Sequence, residues 1–131
     1  MERGFEKEGE LGKIYRIDTV EFEGREYPAG YRVVTENLES LGLRDNPNIL
    51  QYSVGEWYSL PPEEIEDGKG DWGGIWLART LSGAKSLKRY MEEKHGVGTR
   101  IFKSAIGEIL FCNSGRVKTN AICMVEEIIS E

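Results

Sequence analysis

His95 is the single histidine of this 131-residue chain, and so the one side chain whose ordinary pKa suits proton transfer near neutral pH. It stands directly before Gly96 at the end of a helical pattern, where a cation or a capping donor is favoured for structural reasons alone, and it reads as a helix-end residue. Cys112 and Cys123 are the only cysteines. If a hairpin turns at residues 113–116, Cys112 falls opposite a residue near Val117 and Cys123 opposite one near Ile106. That separates them by ~20 Å at the rise of a strand, far beyond the ~7 Å that a disulfide tolerates between Cα atoms, so both read as buried packing residues. One His and two Cys are too few for a four-ligand structural zinc site. The acids Glu63, Glu64, Glu66, Asp67 and Asp71 have the chemistry to hold a divalent ion or to act as an acid/base pair, but an acidic solvated loop is the simpler reading. No metal is expected. Gly68-Lys69-Gly70-Asp71 lacks the spacing of a phosphate loop, and the window 45–56 places Pro47 and Ile49 where a calcium loop needs oxygen donors.

Aromatic residues are concentrated: Tyr52, Trp57, Tyr58, Trp72 and Trp76 all lie within one short stretch. Aromatics beside glycine-rich loops can form a stacking surface for a base or a partner. Trp57 and Trp76 fit apolar runs and read as core, whereas Trp72, between Asp71 and Gly73, is hard to explain by packing and is a candidate ligand or partner surface. Arg79, Lys85, Lys88, Arg89, Lys94, Arg100 and Lys103 gather around one predicted helix, and Lys85 and Arg89 join Trp72 as surface candidates beside the plainer reading of a solvated helix face. The whole chain carries 17 basic and 23 acidic side chains, a net charge of -6, which argues against a surface built to coat nucleic acid or an anionic membrane. The charge is uneven, with the acids mostly in residues 1–67 and the bases prevailing after them. Opposite acidic and basic faces would be a signal for a partner. A bias toward Glu over Asp, with Gln51 the only glutamine, is of the kind reported for hyperthermophile proteins.

These side chains are positioned by one domain, since 131 residues match the usual domain size of ~100–150. Residues 1–12 are charged and glycine-rich and read as a flexible N-terminal arm, followed by a single domain over 13–131. Residues 13–22 alternate apolar and polar positions and predict a strand; Tyr31–Thr35 predicts a second after a break at Pro28-Ala29-Gly30. Residues 49–60 fit a strand pair bulged at Gly55, and residues 61–74 a long loop with a helical turn near Pro62. Ile75–Ala78 predicts a buried strand. Thr80 or Ser82 then caps the one amphipathic helix, about residues 81–94, which Gly96 ends in a left-handed turn. Residues 99–113 and 117–128 predict two long strands joined at Asn113-Ser114-Gly115. The expected fold is α+β, a mostly antiparallel sheet of about six strands with one main helix. The longest apolar run is Ala121–Val125, far short of the ~20 residues of a membrane helix, and with two cysteines the expected location is a reducing cytoplasm.

The segments Tyr31-Arg32-Val33-Val34, Ser40-Leu41, Tyr52-Ser53-Val54-Gly55-Glu56-Trp57, Gly74-Ile75-Trp76-Leu77-Ala78 and Thr80-Leu81 with Ala84 follow one another in an order that resembles small, functionally uncharacterised proteins of phages and archaea. The resemblance covers about residues 31–90 and implies a compact α+β fold with no known activity. The first strand and the length of the loop 61–74 lie outside it. With no nucleophile, base and orienting group recognisable together, the expected function is a small non-enzymatic binding or regulatory module, with no cofactor and with a protein partner or a second copy bound through an exposed strand edge. A rival reading is a minimal NAD-dependent enzyme resembling ADP-ribosyltransferases, which place an Arg or His, a Ser or Thr, and a Glu on successive strands; Arg32 (or Arg16), Ser53 and Glu108 (or Glu126) match by residue type. A third reading is a single-stranded nucleic-acid binder using Trp72 and the basic helix.

Overall fold

The computed structural model describes residues 4–40, 51–70 and 73–129. Its elements in chain order are β1 (Gly4–Glu8), β2 (Ile14–Phe22), β3 (Arg25–Thr35), β4 (Trp57–Ser59), β5 (Ile75–Ala78), α1 (Leu81–His95), β6 (Thr99–Ile106), β7 (Ile109–Cys112), β8 (Arg116–Thr119) and β9 (Ala121–Ile128). Every strand pairing among the described residues is antiparallel, so the α+β class holds, but these residues form nine strands where about six were expected.

The three extra strands have separate causes. Residues 4–8, expected within a flexible arm, pair with β2 from Gly4↔Asp18 to Glu8↔Ile14. All five are exposed, so ladder hydrogen bonds hold β1 and burial does not. The corner after it is tight, because a methyl group at Gly9 would run into the carbonyl oxygen of Cys112. The other two arise because both long C-terminal strands are broken, one at Gly107-Glu108 and the other at Asn120. The Oδ1 of Asn120 accepts from the Glu108 amide (2.8 Å), and the Thr119 hydroxyl donates to the Glu108 carbonyl (2.7 Å), so each break satisfies the polar groups that the other exposes.

The breaks redirect the chain. The sheet path runs β4-β9-β6-β3-β5-β8-β7, so the base of the C-terminal hairpin (β6, β9) lies on one side of β3 and its tip (β7, β8) on the other. The hairpin thus contributes strands to both sides of β3 within one continuous sheet. The resulting arms, β4-β9-β6-β3 and β5-β8-β7, share one core: Val34, Phe102, Ile106, Ile122 and Met124 from the first pack with Ile75, Leu77, Cys112 and Val117 from the second.

β3 is the hinge line between them. It begins at Arg25, six residues earlier than expected, and runs through Pro28, which stands opposite Thr19 at the end of the β2 pairing; a residue without an amide donor is tolerated where that ladder stops. From Ala29 to Thr35 it pairs with β6 on its other edge. Gly30 lets β5 approach, since a Cβ there would stand 3.0 Å from that of Leu77. In the bulged segment expected over 49–60, only Trp57–Ser59 is strand, paired with β9, and Gly55 occupies a turn at φ 84; residues 49 and 50 lie outside the described residues.

The helix agrees with its signals. Thr80 Oγ1 accepts from the Gly83 amide (3.1 Å) and Gly96 ends it at φ 67. It covers the outer side of the sheet, where Ala84 and Leu87 meet Tyr31, Val33, Ala78 and Ile101. Beyond its reach a third cluster, Val20, Ala29, Ala105 and Cys123, is flanked by Phe22, Tyr27 and Val125. Two ion pairs tie the base of the hairpin. Arg100 binds Glu127 through two parallel hydrogen bonds, Nε to Oε2 (2.9 Å) and Nη2 to Oε1 (2.8 Å), while Glu92 accepts from Lys88 and from the amide and hydroxyl of Thr99.

Two outcomes follow. Gly9→Ala destabilises the protein by about 1–3 kcal/mol in urea unfolding, the usual cost of overpacking; an unchanged midpoint would mean that the corner after β1 is free of the Cys112 carbonyl. The pairing with Arg100 holds the Glu127 carboxyl below its usual 4.5, and hydrogen bonds from Lys88 and Thr99 do the same for Glu92. A carboxylate with a depressed folded pKa adds stability above its unfolded value and loses it as the pH falls through the folded one. The urea midpoint therefore drops as the pH falls below about 4.5, and this drop is smaller in Glu127→Gln.

Candidate functional site

The two arms diverge next to Arg32. β3 and β5 share one register pair, Tyr31↔Ala78; farther along β3 the strand–strand contact gives way to a side chain, as Arg32 Nη1 donates to the carbonyl of Trp76 (2.7 Å). Strand alternation sets the direction of that side chain: Tyr31 and Val33 face the helix, and Arg32 shares the inner face of Val34. The guanidinium thus reaches into the core between the arms.

Tyr52 meets it there. Its amide donates to the carbonyl of Leu38 (2.9 Å), its ring is only 4% exposed, and Arg32 Cζ lies 5.5 Å from the ring centroid. Tyr58 stands edge-on to Tyr52 at 6.2 Å. Burial first, and then the nearby Tyr52 and Glu64, push the Tyr58 phenol above its usual 10.0, so it is a neutral hydrogen-bonding group at physiological pH. Leu38, which supports Tyr52, holds a left-handed φ of 63, a conformation that a branched side chain adopts at a cost.

Two polar atoms in this cluster are buried without a hydrogen-bond partner, Arg32 Nε and Tyr52 Oη. Each such atom costs ~1–3 kcal/mol relative to hydration, and native interiors seldom keep one without a reason. The guanidinium also has no carboxylate: the ion pairs among the described residues join Arg16 to Asp18, Lys88 to Glu92 and Arg100 to Glu127, and Arg32 is in none of them. A part-buried cation therefore lies over the ring of a tyrosine whose hydroxyl is unpartnered, and a second tyrosine ring stands edge-on to the first.

The other candidate residues are dispersed. Ser53 is exposed, next to Tyr52 but in a turn whose carbonyl accepts from Glu56. Glu108 is exposed at the hairpin break, beyond the end of β6, in which the register partner of Arg32 is Phe102. No hydrogen bond or ion pair among the described residues joins Arg32, Ser53 and Glu108. Trp72 lies outside the described residues. Lys85 and Arg89 are exposed on α1, whereas other cations near the helix are engaged: Arg79 donates to the carbonyls of Arg16 and Ser114, Lys88 binds Glu92 and Arg100 binds Glu127. His95 closes the helix, exposed. Cys112 and Cys123 are both free and buried, opposite Val117 and Ala105, one in the inner core and one in the outer cluster; burial raises both thiols, which makes them poor nucleophiles. The described residues hold no group of three or more His, Cys, Asp or Glu suited to a metal ion, and no helix among them is long and apolar enough to cross a membrane.

Sequence reasoning reached Arg32 by residue type and Tyr52 as one aromatic of a cluster. It missed that they meet, because the carbonyl that anchors Arg32 belongs to a strand 44 residues away and leaves no trace in side-chain spacing. Comparison with protein-family models, with curated proteins and with solved structures finds no match to this chain.

The raised Tyr58 phenol has a signed consequence. An acid whose folded pKa exceeds its unfolded value adds stability below the unfolded pKa, and that stability is lost as the pH rises toward the folded one. Stability therefore declines above about pH 10, and Tyr58→Phe reduces the decline; equal slopes in both proteins by urea unfolding at pH 9 to 11 would remove Tyr58 from the buried cluster.

Proposed function

We propose that the protein is a small binding module whose ligand site is the divergence of the two arms, at Arg32 and Tyr52. The observation that carries this reading is the pair of buried polar atoms without partners, Arg32 Nε and Tyr52 Oη. Buried polar atoms that the protein leaves unbonded are ones that a ligand can satisfy, at the expense of the stability of the free protein. The rival enzymatic reading keeps Arg32 in common, but Ser53 and Glu108 are not gathered around it, so the residue set it requires is unsupported. A protein partner has a different footing: Trp57 is 40% exposed and packs against Tyr27 at 5.2 Å, at the margin of the outer cluster. Lys85 and Arg89, open on α1, are the remaining footing of the nucleic-acid reading.

The test uses stability twice. Tyr52→Phe removes an unsatisfied hydroxyl and keeps the ring, so the free variant is equal to or more stable than the wild type, by about 1 kcal/mol; a loss of 1 kcal/mol or more would mean that the hydroxyl is satisfied within the fold. A thermal-shift screen against nucleotides, NAD, small acids and amides, and short oligonucleotides then identifies the ligand. At a concentration 100 times its Kd a ligand stabilises the native state by ~2.7 kcal/mol, and this shift shrinks in Arg32→Lys and Tyr52→Phe. A ligand that shifts all three proteins equally binds elsewhere and counts against the site.

A further inference from the structure

The chain contains a second arginine arranged like Arg32, and the difference between the two specifies what Arg32 lacks. Arg100 directs Nη1 to a backbone carbonyl, that of Glu36 (3.3 Å), and presents its Nε and Nη2 edge to both oxygens of Glu127. Arg32 also directs Nη1 to a backbone carbonyl, but its Nε has no partner and no hydrogen bond from its Nη2 to a described residue exists. The Nε–Nη2 edge of a guanidinium presents two parallel N–H donors, and its matching acceptor is a group with two oxygens a carboxylate's width apart. At Arg100 that acceptor is part of the fold. At Arg32 no described residue provides it.

Resting on the binding reading above, we infer that the ligand of the Arg32–Tyr52 site presents an oxyanion, a carboxylate or a phosphate group, to the Nε–Nη2 edge of Arg32. Three facts converge on a negative charge. The bond to the Trp76 carbonyl fixes the guanidinium from one side and leaves its Nε–Nη2 edge, with Nε buried, without an acceptor from the described residues. The cation is part-buried and has no counter-charge among the described residues, and leaving a charge uncompensated away from water is costly. The ring of Tyr52 lies 5.5 Å from the guanidinium carbon and carries a hydroxyl without a partner, a further donor for an oxyanion with more than two lone pairs to satisfy. A neutral amide or sugar would satisfy the hydroxyl but leave the cation unbalanced.

The experiment follows the Nε–H resonance of Arg32 in proton–nitrogen correlation spectra of the full chain, assigned by its absence from Arg32→Lys. The exposed Arg89 serves as the internal reference for weak, non-specific ion pairing. Four probes are titrated: inorganic phosphate, pyrophosphate, succinate and benzoate, with succinamide and benzamide as neutral counterparts of the last two. The inference expects at least one oxyanion to shift the Arg32 signal saturably while Arg89 moves little, the matched amides to leave it in place, and Tyr52→Phe to weaken the response several-fold. A response to phosphate and pyrophosphate alone assigns a phosphorylated ligand, and a response to the carboxylates alone assigns an organic acid. If the amides move the Arg32 signal as much as the acids do, the site binds but the oxyanion inference is overturned. If acids and amides alike move it no more than they move Arg89, the binding reading fails together with it.

Discussion

The fold turns on the mutual lock between Glu108 and Asn120. A hairpin of uninterrupted strands over residues 99–128 would form one continuous twisted ribbon, with its tip on the same side of β3 as its base. By accepting the Glu108 amide at the point where the partner strand also breaks, Asn120 makes both interruptions coincide, and Gly107 gives them room, because a Cβ there would stand 2.5 Å from Asn120 Oδ1. The breaks also recruit a third element, as the Leu60 amide donates to the Asn120 carbonyl (2.9 Å). The tip can then cross over and pair with β5, and one hairpin supplies strands to both arms. The core between the arms, the split beside β3 and the inward course of Arg32 all descend from that corner.

Physical costs are unevenly distributed in the result. The outer side is conventional: a capped helix lies on small and branched residues, and its charged network with Thr99 is fully bonded. Lys118 is completely buried, yet its ammonium is met by the Gly68 carbonyl (3.0 Å) and lies over the same Trp76 ring that Arg116 stacks on at 4.2 Å. Arg32 has the same two kinds of partner, the Trp76 carbonyl and the Tyr52 ring, but its Nε and the Tyr52 hydroxyl stay unbonded, and that sets the split between β3 and β5 apart.

Local signals carried well where local physics decides. Thr80, the helical spacing of Ala84, Leu87 and Met91, and Gly96 mark α1 to within a residue, because capping and left-handed termination are properties of a few neighbouring residues. The turn at Asn113 was equally legible, and its Oδ1 accepts from the amides of Gly115 and Arg116. The breaks were not, because the periodicity of a buried strand continues across them and the bond that stabilises them spans 12 residues. β1 was hidden by its composition: no core face draws it in, and backbone pairing alone is silent in a side-chain pattern. The extension of β3 through Pro28 was obscured by a rule that is sound for central ladders and relaxed where a ladder ends. Of the candidate residues, Arg32 had the right chemistry but an unreadable direction, since a shift of one residue in strand phase would have turned it toward the helix.

The shared hairpin also orders the assembly of the chain in time. β6 and β9 form a local unit, closed within 30 residues, whereas β3 pairs with β6 across an interval such as Tyr31↔Lys103. Pairings of high sequence separation are slow because the closure entropy must be met before the contacts form. During synthesis β3 and β5 emerge before the strands on which they will lie, so Arg32 spends that interval hydrated. The ladder that flanks it is completed only when residues 99–106 have emerged to pair with β3.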